Sequence, residues 1–158
     1  MYDPLSGGYS NEDFQKFIEA GKVAVLATTS STWGVQATTV FYAVEKEFSL
    51  LVKSHRTSDH GKEMQENPQI VLAIYDSNST YTEKAGVQLR AYCERIYDKT
   101  EMQNAVEIYS RTFPGAEQRF APVEELISED VKSTLFRMKI VAGKMITPNG
   151  YSSDYQKF

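Results

Sequence analysis

The stretch FSLLVKSHRTSDHGKEMQENPQIVLAIYD, residues 48–76, decides the predicted fold because it joins two apolar strands through a polar loop and a short helix. Both ends of the stretch are rich in leucine, isoleucine and valine, which is typical of buried strands. Between them, Ser58 can cap a helix that ends before Pro68. The remaining helices and strands are predicted from the segments before and after this stretch.

Six strands are predicted in all, at residues 22–30, 32–44, 45–53, 69–76, 87–98 and 133–147. Three helices are predicted at residues 10–22, 58–68 and 99–113, with a loop at 77–86 and an irregular or weakly helical segment at 116–130. The connections between the first three strands are too short for parallel crossovers, so an antiparallel sheet is predicted. The first strand is apolar at nearly every position, which predicts burial on both of its faces.

These elements predict a mainly β fold, a small antiparallel six-stranded barrel with peripheral helices. Residues 11–148 form the predicted domain. A flexible segment is predicted at residues 1–10, and a polar tail at residues 149–158. The tail is expected to be mobile or draped over a partner.

Composition argues against several classes of function. The chain has 158 residues, enough for one domain with its own core, and its formal net charge of −4 disfavours binding to DNA or RNA. No apolar run approaches the roughly 18 residues that span a bilayer, so no membrane segment is predicted. The first residues lack the features of a secretory signal. The single cysteine, Cys93, forms no intramolecular disulfide, which fits a cytoplasmic location.

The polar loop contains both histidines of the chain, His55 and His60, which raises the question of a metal site. Their spacing does not place both on one helix face. Three cations lie close by, at Lys53, Arg56 and Lys62, and they disfavour a bound metal ion. A nucleophilic site is disfavoured as well, because Cys93 lies in the middle of a strand and the chain has no nucleophile elbow.

An anion site uses more of the loop's residues than either alternative. The loop runs from the end of a strand to the start of a helix, where free backbone N–H groups favour a phosphate. Hydroxyl groups can donate to phosphate oxygens, and cations can supply charge; these residues are Ser54, Arg56, Thr57, Ser58, His60 and Lys62. An ordinary solvated loop, with Ser58 as a helix cap, fits the same residues, so both interpretations stay open at this point.

The order and spacing of these segments resemble the FMN-binding split-barrel family, whose best-known member is pyridoxamine-phosphate oxidase. The resemblance covers residues 12–147 and rests on VAVLAT, ATTVFYAV, the stretch quoted above and GVQLRAYCERI. Ser54, Ser58 and His60 stand where the family has Thr, Ser and Lys, and Asn67-Pro68 stands at its Asn-Pro. The segments YSRTFPGAEQRFAP and FRMKIVAGKMIT look like a smaller branch of the family, which also has a His in place of the Lys.

The chain also departs from the family pattern. The arginine that the classical oxidases carry on the second strand is Thr38 here, and their glycine on the long strand is Ala91. Their C-terminal substrate-binding arginine has no counterpart in YSSDYQKF. The resemblance therefore implies flavin binding without implying pyridoxine chemistry.

What the resemblance implies is an oxidoreductase-like homodimer that holds FMN between its subunits, with a small-molecule substrate that stays unknown. The flavin ring would lie along four residues of the second strand, Thr38, Thr39, Val40 and Phe41, and Gln88 would approach it from the same wall. Lys53 and Ser54 would lie beside the ring and the ribityl chain. The phosphate would be surrounded by Arg56, Thr57, Ser58, His60 and Lys62. No catalytic residue is implied, because the flavin itself carries the redox chemistry.

Two other functions remain open on the same fold. One is a non-catalytic module that holds flavin or haem for storage, sensing or delivery. The other is a dimer that has lost its cofactor, because Thr38 and His60 both weaken the usual cationic site for the phosphate.

Overall fold

A computed structural model describes residues 8–152 and 154–158 of the chain. The helices are α1 (Asn11–Ala20), α2 (Asp59–Glu66), α3 (Lys99–Thr112) and α4 (Val123–Leu126), and a 3-10 turn spans Ala116–Arg119. The strands are β1 (Val23–Ser30), β2 (Gly34–Lys46), β3 (Ser49–His55), β4 (Gln69–Tyr75), β5 (Gly86–Arg95), β6 (Ser133–Thr147), β7 (Gly150–Tyr151) and β8 (Gln156–Lys157). In the described part of the chain, no helix is long and apolar enough to cross a membrane.

The six long strands form one antiparallel sheet that closes on itself. Their order is β3-β2-β1-β4-β5-β6, and β3 pairs with β6 to complete the ring. This ring, with helices at its periphery, confirms the predicted mainly β split-barrel fold. The short strands β7 and β8 both pair with β6 and were not predicted.

The first helix follows directly from its local sequence. The Ser10 side chain accepts a hydrogen bond from the Asp13 backbone N–H, and the Asp13 carboxylate accepts one from the Ser10 backbone N–H. This reciprocal pair satisfies two N–H groups that a helix start leaves free. Phe14 and Ile18 then lie fully buried on one face of α1. The helix therefore closes one end of the ring with its apolar side.

Two apolar clusters divide the interior. The larger fills the ring and includes Leu26, Leu50, Val52, Leu72 and Leu89. The second lies outside the ring and joins α3 and α4 to the outer face of β3 and β6, with Leu51, Ile96, Met102, Leu126 and Leu135 among its members. Strand β3 is therefore covered on both faces, from inside by the barrel core and from outside by helices.

Strand β1 was predicted to be buried on both faces, but the structure buries only one of them. Ala24, Leu26 and Thr28 point into the ring and are buried, but the alternate residues are open to different degrees, with Val23 exposed at 43%. Neighbouring Val71 on β4 is likewise 38% exposed. Helices α3 and α4 pack on the outer face of β3 and β6, and α2 meets β1 at the inward Thr28, so the outer side chains of Val23 and Val71 stay largely uncovered in the described chain.

The C-terminal segment also differs from the expected mobile or draped tail. Strand β8 pairs with β6, and Phe158 stacks on Phe48 at 4.1 Å and meets the edge of Phe14 at 4.9 Å. Phe48 has a left-handed backbone with φ of 53°, and this contact helps to hold it in the β2–β3 turn. Residues 1–7, most of the segment predicted to be flexible, lie outside the described residues.

Candidate functional site

The predicted anion loop lies where β3 leaves the sheet and α2 begins. Ser58 caps α2: its hydroxyl oxygen accepts from the Gly61 backbone N–H at 3.2 Å and donates to the His55 carbonyl oxygen at 2.7 Å. Gly61 packs so closely against this turn that an added Cβ would overlap the His55 carbonyl oxygen. The tight turn therefore depends on a serine and a glycine three residues apart.

His60 joins the strand end to the helix start. Its Nε2 atom lies 2.8 Å from the Ser54 hydroxyl and 3.3 Å from the Ser58 hydroxyl. Burial lowers the pKa of His60, and the nearby carboxylates of Glu63 and Asp59 oppose this effect only in part. The neutral imidazole is therefore favoured near pH 7. The structure brings together Ser54, Ser58 and His60, three of the six residues that the sequence predicted for an anion site.

Arg56 is already engaged elsewhere. Its guanidinium donates to both the backbone carbonyl and the carboxylate of Glu129, and Arg95 contacts the same carboxylate at 3.2 Å. Thr57 and Lys62 are exposed, and Lys62 forms no ion pair among the described residues. Of the arginine and lysine side chains predicted for the phosphate, Arg56 is thus paired with Glu129, and Lys62 has no ion pair in the described part of the chain.

The predicted residues of β2 divide between the two faces of the sheet. Val40 is buried in the ring and Thr38 is half-buried, whereas Thr39 and Phe41 lie on the outer face. Gln88 is exposed on β5, three strands away from β2. Within one chain, the structure does not bring Gln88 to the loop.

Lys53 and Ser54 are neighbours in sequence but belong to opposite faces of β3. Side chains alternate along a strand, so Ser54 shares the inner face with Val52 and meets His60. Lys53 shares the outer face with Leu51, under the helices, where its ammonium group lies 5.4 Å from the centre of the Phe120 ring. The two residues therefore face different environments.

A cleft of about 500 Å³ lies on this outer face, between β3 and the C-terminal end of α3. Its walls include Phe41, Lys53, Tyr109, Phe113 and Arg119. Burial lowers the pKa of Lys53, and the charge of Arg119 adds to the effect. Sequence reasoning missed the last three of these residues, because only the packing of α3 across β3 brings them to the strand.

The alternatives of a metal and a nucleophile gain no support from the geometry. Among residues 8–152 and 154–158, no group of three or more His, Cys, Asp or Glu side chains is placed to hold a metal ion. Cys93 is buried with its sulfur 3.5 Å from that of Met64, and burial raises the pKa of its thiol to about 12. A thiol with that pKa is protonated at neutral pH and is a poor nucleophile.

The chain belongs to the pyridoxamine 5'-phosphate oxidase family, because the family model matches residues 10–145. This match confirms the resemblance found in the sequence. A search of curated proteins finds no significant match.

Solved structures show the same fold. A heme binding protein from Mycobacterium smegmatis has a TM-score of 0.76 at 16% identity, covering 97% of this chain but only 60% of that protein. HutZ, a heme storage protein from Vibrio cholerae, has a TM-score of 0.67 at 14% identity, covering 86% and 90% of the two chains. An FAD-binding protein from Mesorhizobium loti has a TM-score of 0.66 at 16% identity, covering 85% and 90%. At such identities the likeness extends to the fold alone.

Replacing Gly61 with alanine tests the close packing of the loop. Alanine normally stabilises a helix by about 1 kcal/mol relative to glycine. Here we expect the reverse, a loss of about 1–3 kcal/mol in the free energy of unfolding, because the new Cβ overlaps the His55 carbonyl. Urea unfolding measures the free energy of unfolding of each variant. Gly8→Ala is the control, because a Cβ atom added at Gly8 would have no other atom within 4 Å. A stabilised Gly61→Ala variant would contradict the packing.

Proposed function

We propose that this protein binds FMN at the interface of a homodimer and acts as a flavin-dependent oxidoreductase. The observation that carries the proposal is the turn from β3 to α2, in which Ser54, Ser58 and His60 converge at a helix start. Hydroxyl groups and free backbone N–H groups at a helix N-terminus are the donors that a phosphate requires. The family membership supports flavin as the molecule that carries this phosphate.

The donors fit a phosphate, although they supply little charge. Ser54 would donate through its hydroxyl group, and His60 would donate from Nε2 once it is protonated. The Ser58 hydroxyl already donates to the His55 carbonyl oxygen, so Ser58 would contribute mainly by holding the turn. Lys62 is exposed on the first turns of α2 and would add a mobile charge. Arg56 would contribute less than the sequence predicted, because Glu129 holds its guanidinium.

A homodimer is supported by the uncovered outer face of the barrel. A groove of about 690 Å³ crosses this face, and its walls include the apolar side chains of Val35, Ile70, Val71, Tyr92 and Val141. The side chain of Val35, just after the β1–β2 turn, is 73% exposed in the single chain. Together with its apolar neighbours it forms an exposed apolar patch, and such patches often mark protein interfaces. A second copy of the chain would cover the groove. Gln88 lies on β5, which borders the same face, and would approach a flavin only across such an interface.

The flavin, when bound, supplies the acceptance and donation of a hydride. The chain's own residues would bind its phosphate and shield the ring from water. We assign no residue as catalytic, because the flavin itself would carry the redox chemistry. A cytoplasmic location remains the prediction that the single cysteine supports.

Titration with FMN tests the phosphate site. We expect His60→Ala to weaken FMN binding by about 1.5–3 kcal/mol, the value of a hydrogen bond to a charged group. His55→Ala is the matched control, because this second histidine of the same loop has an exposed side chain. Flavin fluorescence quenching measures both affinities. Equal affinities of the two variants would remove His60 from the phosphate site.

The same titration should depend on pH. Because burial lowers the pKa of His60, the free protein holds a neutral imidazole near pH 7, and binding a phosphate dianion would favour uptake of a proton. Affinity should therefore rise as the pH falls from about 8 to about 6.5, above the second pKa of a phosphate near 6. His60→Ala should show a flatter profile. A wild-type profile as flat as that of the variant would contradict this role.

A charge on the uncovered face tests the dimer. We expect Val35→Glu to shift the protein from dimer to monomer, because a carboxylate buried without a partner costs several kcal/mol. Thr82→Glu is the control, since Thr82 lies in the exposed loop between β4 and β5. Light scattering after size-exclusion chromatography gives the mass of each variant. A monomeric wild type, or a variant that stays dimeric, would contradict the proposed interface.

Reduction separates an enzyme from a carrier. We expect NADH or NADPH to bleach the absorbance of the FMN-loaded protein under anaerobic conditions faster than that of free FMN at the same concentration. Bleaching by either donor would show that the bound flavin is open to electron donors. No acceleration with either donor would favour the non-catalytic carrier.

Haem is the second candidate ligand, and the state of His60 favours it. Burial keeps this imidazole neutral, and the neutral ring is the form that binds iron. Two of the structures with this fold are described as heme proteins. Under this alternative, added haemin would give a shifted Soret band that His60→Ala removes and His55→Ala retains. A haemin spectrum identical to that of free haemin would exclude it.

A further inference from the structure

The carboxylate of Glu129 contacts two arginines at once. Its Oε2 atom lies 3.2 Å from Nη2 of Arg56 and 3.2 Å from Nη1 of Arg95. The side chains of Arg56 and Arg95 are only 19% and 3% exposed, whereas that of Glu129 is 72% exposed. In the described part of the chain, neither arginine forms an ion pair with another carboxylate. Two largely buried cations therefore share one exposed anion, and the group retains a net positive charge.

Arg95 is held more firmly than Arg56. Its guanidinium also donates to the backbone carbonyl oxygens of Leu126 and Ser128. The buried Nε atom of Arg95 has no acceptor among the described residues, so loss of Glu129 would leave this buried cation without an anion. The ion pair between Glu129 and Arg95 is therefore the more costly of the two to break.

The contacts of Arg56 are easier to exchange. Besides the Glu129 carboxylate, its guanidinium has two neutral acceptors, the Glu129 backbone carbonyl and the exposed side chain of Gln65, the latter at 3.4 Å. An ion pair with an exposed carboxylate contributes little to stability, because water competes for the charges. Arg56 therefore changes its partner at a smaller cost than Arg95.

The proposed FMN phosphate site lies next to Arg56 in the chain. Arg56 comes two residues after Ser54 and two residues before Ser58. The hydroxyl groups of both serines lie close to the imidazole of His60, which burial keeps neutral near pH 7 by lowering its pKa. A phosphate forms stronger hydrogen bonds with a guanidinium than with neutral donors. A phosphate bound at this loop would therefore compete with Glu129 for Arg56.

We propose that Glu129 regulates the FMN phosphate site as an internal competitor, which holds Arg56 in the free protein and releases it to the bound phosphate. Glu129 then stays paired with Arg95, so that each arginine has its own anion. The exchange is a change of ion-pair partner and involves no covalent step. The inference rests on the proposed function, because it concerns the same loop, and it adds Glu129 and Arg95 to the residues that set the affinity of the site.

Titration of the purified full chain with FMN at low ionic strength tests the competition. We expect Glu129→Gln to bind FMN about threefold more tightly than the wild type, a change of the size expected for a surface ion pair. Riboflavin, which lacks the phosphate, should bind both proteins equally. Glu125→Gln is the matched control, because Glu125 is an exposed glutamate of α4 without an ion pair among the described residues. Loss of a purely structural contact would weaken FMN binding, so an equal or lower affinity of Glu129→Gln would overturn the proposal.

A double-mutant cycle shows whether the gain passes through Arg56. Arg56→Gln should weaken FMN binding, and adding Glu129→Gln to that variant should then have no effect, because no guanidinium is left to release. An equal gain from Glu129→Gln with and without Arg56 would show a general charge effect and would overturn the competition for this arginine. If Glu129→Gln fails to fold, Glu129→Asp, whose shorter side chain weakens the contact with Arg56, should raise FMN affinity in its place.

The outcomes separate this inference from the flavin proposal. If the wild type binds FMN and Glu129→Gln binds it no more tightly, the flavin proposal stands and the competition fails. If neither protein binds FMN, the flavin proposal fails, and calorimetric titration with inorganic phosphate decides the competition. Tighter phosphate binding by Glu129→Gln than by the wild type would then support the competition at an anion site without a flavin, and equal or absent binding would overturn it.

Discussion

The pairing of β3 with β6 is the constraint on which the rest of the structure depends. Seven residue pairs join the two strands, from Ser49 opposite Lys139 to His55 opposite Ser133. The pairing closes the ring, so β3 becomes an interior strand with the barrel core on one face and α3 on the other. It continues past the strand end, where the Arg56 backbone N–H donates to the Lys132 carbonyl. The position of the loop is therefore fixed by the sheet before any ligand is considered.

Alternation along this covered strand gives two neighbouring residues different roles. Ser54 lies on the inner face, where its hydroxyl meets His60 at the start of α2. Lys53 lies on the outer face, beside the aromatic end of α3. In a strand with one solvated face, one of these two side chains would point to water and would have few protein contacts. Because helices cover the outer face, both lie in structured environments, one rich in hydroxyl groups and the other in aromatic rings.

The loop between β3 and α2 is stabilised by hydrogen bonds more than by charge. Ser58 and Gly61 hold the turn tightly, and His60 is neutral near pH 7 in the absence of an anion. The nearest arginine is held by Glu129, which also contacts Arg95 and so ties the segment before β6 to the loop. Such a site avoids repulsion between cations when it is empty. Under the proposed function, the affinity of this loop for an anion would depend on the protonation of one imidazole.

The sequence by itself determined the six long strands, the three longest helices and the loop between β3 and α2, but not the short strands β7 and β8. Apolar strands, short connections, Ser58 as a cap and the spacing to Asn67-Pro68 are local features. They predicted the antiparallel strands, and they placed Ser54, Ser58 and His60 in one loop at a helix start. These contacts lie within a few residues of each other, and local rules suffice for them.

Only the tertiary structure decided which faces are covered and which charges are free. The sequence of β1 is apolar on both faces, yet the single chain buries only the inward one, because α3 and α4 pack on β3 and β6 and leave the outer face of β1 open. Arg56 looked available, but its partner Glu129 is distant in sequence and arrives through the β3–β6 pairing. Arg119 carries no local signal and lines the same cleft as Lys53 only because α3 packs over this part of the sheet. Long-range packing determines such partners, and the spacing of residues along a chain does not encode it.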